Sequence, residues 1–136
     1  MQVTVELNQN VNFSATSGSG HTIQMDGPPE FGGENLGARP METMLMGMGG
    51  CASFDVVNIL RKRRLTIHSC VAEITAERAE TEPKVFTEIH LHFRVSGEDL
   101  TEKAVAKAVQ LSAEKYCSAS IMLGKTAKVT HSFSLL

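Results

Sequence analysis

The sequence contains no tryptophan and a single tyrosine, and aromatic side chains make up 5% of its 136 residues. That excludes the aromatic-studded basic grooves on which proteins stack single-stranded nucleic acid, and it leaves the core to Met, Val, Leu, Ile and Ala. Neither sign of charge is in excess: 13 basic against 15 acidic residues give a net charge of −2, which excludes a polyanion-binding surface and an acidic tail. No basic stretch followed by an apolar run opens the chain, so no signal peptide is expected. Uninterrupted apolar runs of about 18 residues, the length of a bilayer-spanning helix, are also missing, because Asp55, Asn58 and several glycines break the best candidate. Three cysteines, an odd number without a signal, fit a reducing cytoplasm with free or catalytic thiols. The length predicts one domain over residues 1–136 with one sizeable core.

What is present is organised around Pro40 to Leu60, which reads as a helix apolar almost all the way round. Pro40 is pre-set for a first helical position. Glu42 suits the positive end of the helix dipole, and the basic run Arg61 to Arg64 suits the negative end. Asp55 is the one charge between them. Glycines 47, 49 and 50 each cost a helix interior about 1 kcal/mol relative to alanine, so something is expected to pack closely against the backbone there. Cys51 follows them directly.

Before this helix, residues 2–8 alternate apolar and polar, Val11 to Ala15 reads as a return strand, and Ile23 and Met25 mark a third strand, a meander. Residues 26–38 hold two prolines and four glycines and read as a surface loop, either functional or a plain connector. After the helix, Ile67 to Glu77 alternates again, and Val85, Thr87, Ile89, Leu91, Phe93 and Val95 form a period-two stripe opposite Glu88, His90, His92 and Arg94. Asp99 and Glu102 have capping-box spacing for a second helix to about Tyr116, with Val105, Ala108, Val109 and Ser112 on its buried face. Cys117, a short helical turn ending at Gly124, and a last strand through Ala127, Val129, His131 and Phe133 complete the chain. The order β-β-β-α-β-β-α-β predicts an α+β fold with largely antiparallel sheet.

Two residues could carry chemistry. A thiolate at Cys51 or Cys117 could attack an oxidised substrate to give a sulfenic acid, which the other thiol would resolve as a disulfide. The alternative is that both are small core hydrophobes, which is the reading for Cys70 on the apolar face of its strand. His90 and His92 point the same way, but no third ligand falls at an evident spacing, so the pair reads as a polar face and no metal is expected. The basic run at residues 61–64 is explained by the helix dipole without nucleic acid. Methionines 41, 44, 46 and 48 read as core filler.

The segments Pro-Met-Glu-Thr-Met-Leu-Met-Gly-Met-Gly-Gly-Cys51, its continuation Ala-Ser-Phe-Asp-Val-Val-Asn, and Ser112-Ala-Glu-Lys-Tyr-Cys117-Ser-Ala-Ser closely resemble the OsmC/Ohr family of osmotically inducible and organic hydroperoxide resistance proteins, and within it the YhfA-type branch. The resemblance spans essentially the whole chain. It implies an intertwined homodimer around a long central helix, reduction of organic hydroperoxides, and no cofactor. Cys51 would be the peroxidatic residue and Cys117 the resolving one, with a dithiol or a lipoyl-bearing protein as reductant. The chain departs from the pattern in three places. Catalytic members carry an arginine in the amino-terminal hairpin; the matching stretch Ser14 to His21 has none, leaving Arg39 as the nearest candidate cation and His21 as a weaker one. The glutamate that follows the family's proline is displaced here by one residue, to Glu42 behind Met41, a rotation of about 100°. Ser118 stands where a proline is common.

Glu42 and Cys51 are nine residues apart on one helix, roughly 13 Å along its axis. If Glu42 or Arg39 tunes Cys51, it is expected to do so from a partner chain. Two readings follow: a thiol-dependent hydroperoxide reductase using Cys51 and Cys117 with Arg39 and Glu42, or a dimer of the same fold that binds a ligand without catalysis.

Overall fold

A computed structural model describes all of Met1–Leu136. Its contacts divide the chain into two compact units, residues 1–46 and 47–136, with the boundary inside the long helix.

In the first unit, β1 (Val3–Gln9), β2 (Asn12–Ser17) and β3 (Thr22–Asp26) form the expected antiparallel meander. The register places Leu7 opposite Phe13 opposite Met25, and Val5 opposite Ala15 opposite Ile23, so every apolar side chain lies on one face. That face is open: Val3, Val5, Leu7 and Ile23 are each at least half exposed, and no apolar residue among the first 46 is buried. The buried groups are polar. Asn12 donates to the Met25 carbonyl and accepts from Asn8. Asp26 organises the following loop, its Oδ2 accepting from the amides of Glu34 and Leu36 at 3.0 and 3.1 Å. The predicted loop therefore contains a 3-10 turn at Pro29–Phe31 and a bridge from Ala38 back to Met25.

Helix α1 runs Pro40–Lys62, two residues past its predicted end. It buries one stripe, Met48, Gly49, Ala52, Val56 and Leu60, and leaves Met44, Met46 and Phe54 exposed. The single chain thus covers one face of the helix and leaves the other open. Of the three glycines, Gly49 alone has the expected close neighbour: a Cβ there would lie 2.8 Å from Ile74 Cδ1, while nothing stands within 4 Å at Gly47 or Gly50. By length and composition α1 could cross a membrane, but Asp55 interrupts it and Gly49 seats it on Ile74.

The second unit pairs β4 (Thr66–Arg78) antiparallel with β5 (Phe86–Glu98), and β5 in parallel with β6 (Lys128–Leu135). Three of the four strand pairings are antiparallel, as expected, and β5–β6 is the one parallel edge. It requires a crossover, supplied by α2 (Glu102–Leu111) and α3 (Ser118–Leu123). The stripe on β5 also starts differently: Phe86 is buried and Val85 lies outside the strand, because a register shift between Glu77 and Arg78 changes the face. Of the rest of the stripe, Thr87 is exposed, whereas Ile89, Leu91, Phe93 and Val95 are buried with Val105, Ala108 and Val109 of α2. The cap of α2 is Thr101, whose hydroxyl accepts from the Ala104 amide, and not Asp99, which takes a positive φ of 56° at the end of β5. Beyond Leu111 the helix widens into a π turn, Ser112–Tyr116.

Candidate functional site

Cys51 and Cys117 lie together in the second unit, their sulfurs 3.1 Å apart with the Cys117 thiol donating to Cys51. Both are free, Cys51 half-buried and Cys117 fully buried. A disulfide is about 2.05 Å long, so about 1 Å of closure would join them. Their approach is built by Ser112. Its hydroxyl donates to the Ala52 carbonyl, next door to Cys51, and its own carbonyl accepts the Cys117 amide at 2.8 Å to close the π turn. Cys117 then opens α3, its sulfur accepting from the Ser120 amide at 3.3 Å. Burial pushes the Cys117 thiol up; hydrogen bonding from Ser120 opposes this without prevailing, and no basic group contributes.

A third residue joins them. Asp55, one turn after Cys51 and on the same helix face, brings a carboxylate oxygen into a group in which all three donor atoms lie within 4.8 Å of one another. Its Oδ2 is closed off from solvent and has no hydrogen-bond partner. Desolvation raises its carboxyl above the usual range. Sequence reasoning noted this charge without giving it a role, although the four-residue spacing from Cys51 was legible. Two sulfurs and a carboxylate are a donor set for a thiophilic metal, but two thiolates on a tetrahedral zinc with 2.3 Å bonds stand about 3.8 Å apart. The pair is too close for that geometry.

Asp55 lines a cavity of about 520 Å³ together with Phe54, Ile59, Leu111, Lys62, Arg63 and Lys107. A larger one, about 780 Å³ between α2 and β6, touches neither thiol.

The remaining candidates are engaged elsewhere. Glu42 Oε2 accepts the Arg39 amide at 2.8 Å, which is the return half of a capping box at the start of α1. The Arg39 guanidinium donates to the Gly37 carbonyl and contributes to holding the Asp26 carboxyl low. His21 is exposed in the β2–β3 turn, paired with Ser19. Cys70 is half-buried on β4, its thiol pushed up by burial. His90 and His92 form a ladder with the β6 hydroxyls, the Ser132 Oγ bridging His90 Nε2 and His92 Nδ1 at 2.8 Å each, while Thr130 and Ser134 take the outer nitrogens. All four ring nitrogens are thereby occupied, and the polar face is a cross-strand network where a solvated surface was expected.

Comparison with known proteins adds four findings. A family model described as OsmC-like protein matches residues 32–132. Protein YhfA of Escherichia coli K12 is 46% identical over all of this chain and 98% of its own. An OsmC-like protein of Mycoplasma pneumoniae superposes with a TM-score of 0.85 at 19% identity, covering 99% of this chain and 96% of its own. The organic hydroperoxide resistance protein OhrB of Bacillus subtilis does so at 0.65 and 17%, covering 98% and 96%.

Proposed function

The chain belongs to the OsmC-like protein family, and from that premise we propose that it reduces organic hydroperoxides through Cys51 and Cys117 in defence against oxidative stress. The observation that carries the reading is the pair of free sulfurs 3.1 Å apart, one half-exposed and one buried. Cys51 attacks the distal oxygen of the hydroperoxide: an S–O bond forms, the O–O bond breaks, and the departing alkoxide takes a proton to leave as an alcohol. Cys117 then attacks the sulfenic sulfur, forming the disulfide and releasing water. A dithiol of small-molecule or lipoyl type returns two electrons and two protons, which fits a cytoplasmic setting.

The protein works as a homodimer in this reading. The open apolar face of β1–β3 and the uncovered side of α1, where Gly47 and Gly50 leave room for a close backbone approach, are the surfaces a second copy would cover. Sedimentation should give twice the 14.7 kDa chain mass. Arg39 and Glu42 would then act on the partner's thiol.

Peptide mass mapping after one equivalent of cumene hydroperoxide, with remaining thiols blocked, tests the chemistry. A Cys51–Cys117 disulfide within seconds is expected, and Cys117→Ser should instead leave a trappable sulfenic acid on Cys51. Free thiols after an hour would overturn the reading in favour of a ligand-binding dimer, the alternative that the hairpin without an arginine favours.

A further inference from the structure

We propose that Asp55 is the proton carrier of the dithiol, taking the proton of whichever thiol attacks and returning it to the oxygen that departs. The inference rests on the hydroperoxide reading above. Both half-reactions make the same demand. In the first, the Cys51 thiol loses a proton as its sulfur bonds to the distal oxygen, and the alkoxide gains one. In the second, the Cys117 thiol loses a proton as the S–S bond forms, and the hydroxide leaving the sulfenic acid gains one to become water. No proton is consumed overall in either step; each only has to move from sulfur to oxygen across the same few ångströms.

Asp55 is placed for both transfers. Its carboxylate oxygen, Cys51 Sγ and Cys117 Sγ are mutually within 4.8 Å. Oδ2 is enclosed and unpartnered, so no competing hydrogen bond holds it in one protonation state. A buried acceptor without a partner is destabilising, and a transient proton from a thiol would supply one. Desolvation, the one cause acting on this carboxyl, moves it toward the thiols in acidity, the direction in which a general acid–base becomes effective near neutral pH. The ionisable and charged groups around it are Cys51 and Lys62 on its own helix, Arg63 just beyond that helix, Lys107 on α2, and Tyr116 and Cys117 at the π turn. None of the three cations contributes to its shift, so their pull does not hold the carboxyl ionised.

Asp55→Asn removes the ionisation and keeps the shape; Asp55→Glu keeps the ionisation. Two readouts are compared. Sulfenic acid formation in Cys117→Ser, and disulfide formation in the otherwise natural chain, should each slow by about 100-fold or more with Asn at position 55, with Glu restoring most of both rates. Independently of any peroxide, ultraviolet thiolate absorbance in a Cys51→Ser/Cys70→Ser background reports Cys117 alone, and its titration should move to lower pH when Asp55→Asn is added, because an adjacent carboxylate raises a thiol. Titrations that coincide with and without Asp55→Asn would overturn the inference whatever the peroxide does. A natural protein that ignores hydroperoxide, with the titration shift present, would overturn the peroxidase reading while leaving the Asp55–thiol proton coupling in place.

Discussion

Residues 47–136 bury Phe93, Leu91, Ile89 and Val105 completely, whereas residues 1–46 bury no apolar side chain and close around Asn12 and Asp26. The second unit has the composition of an independent core and carries both thiols. The first has an equally regular apolar face, seven residues over three strands, with nothing from its own 46 residues to cover it. A three-stranded sheet needs a covered hydrophobic face to be stable. The same amphipathic pattern thus ends in two environments: in β5 it is buried inside the chain, and in β1 it lies open.

Substitutions can break this contrast. Phe93→Ala should destabilise by about 3–5 kcal/mol at any protein concentration, whereas Val5→Ala should cost the dissociated chain less than about 1 kcal/mol and act mainly when the protein is concentrated. Urea titrations at two concentrations a hundredfold apart separate the cases, and equal, concentration-independent losses would erase the contrast. Next in size are the glycines of α1. Gly50→Ala meets nothing in the single chain and should give the dissociated chain about 1 kcal/mol of helix propensity, while weakening the proposed dimer. Gly49→Ala must displace Ile74 Cδ1 from 2.8 Å and should gain less. A Gly50→Ala chain that melts below the natural protein would mean that another backbone lies against that position.

Smaller effects come from pH. Asp26 is held below the usual carboxyl range, chiefly by the Leu36 amide. Its contribution is therefore complete above an unfolded value of about 3.9 and is lost as pH falls through the depressed folded value. Asp26→Asn should flatten that acid limb and speed hydrogen exchange at the Glu34 and Leu36 amides. His131 in the second unit is lowered by burial, with its ring stacked on Phe93. Being neutral in the fold, it leaves stability intact above about pH 6.5 and erodes it below, as the unfolded chain takes up the proton first. His131→Phe should remove that slope; an unchanged melting curve between pH 5 and 7 would contradict it.

Much of this was legible along the chain. Period-two alternation marks β1, β4 and β5, the Pro40 start marks α1, and spacing marks the buried face of α2, because each reports a local repeat. The parallel pairing of β6 was not legible, since the choice of strand partner lies in long-range packing. Thr101 displaced Asp99 as a cap because Asp99 was needed at a positive φ. The single chain covers one stripe of α1: composition says that an apolar helix must be buried but not that its own chain does the burying. At the site, the resemblance named the two cysteines; Asp55 could have been added from its spacing, while the role of Ser112 depends on a π turn with no local signature.

That turn has an evolutionary consequence. A π turn holds one residue more than an α turn, so the Cys117 thiol owes its bearing to chain length as much as to side-chain identity. Substituting residues 113–116 one by one leaves the surplus in place. Deleting any one of them would let the helix close to its ordinary pitch, rotate everything beyond by about 100°, and aim the thiol away from Cys51. The partnership of the two sulfurs is therefore robust to replacement and fragile to a single-codon deletion.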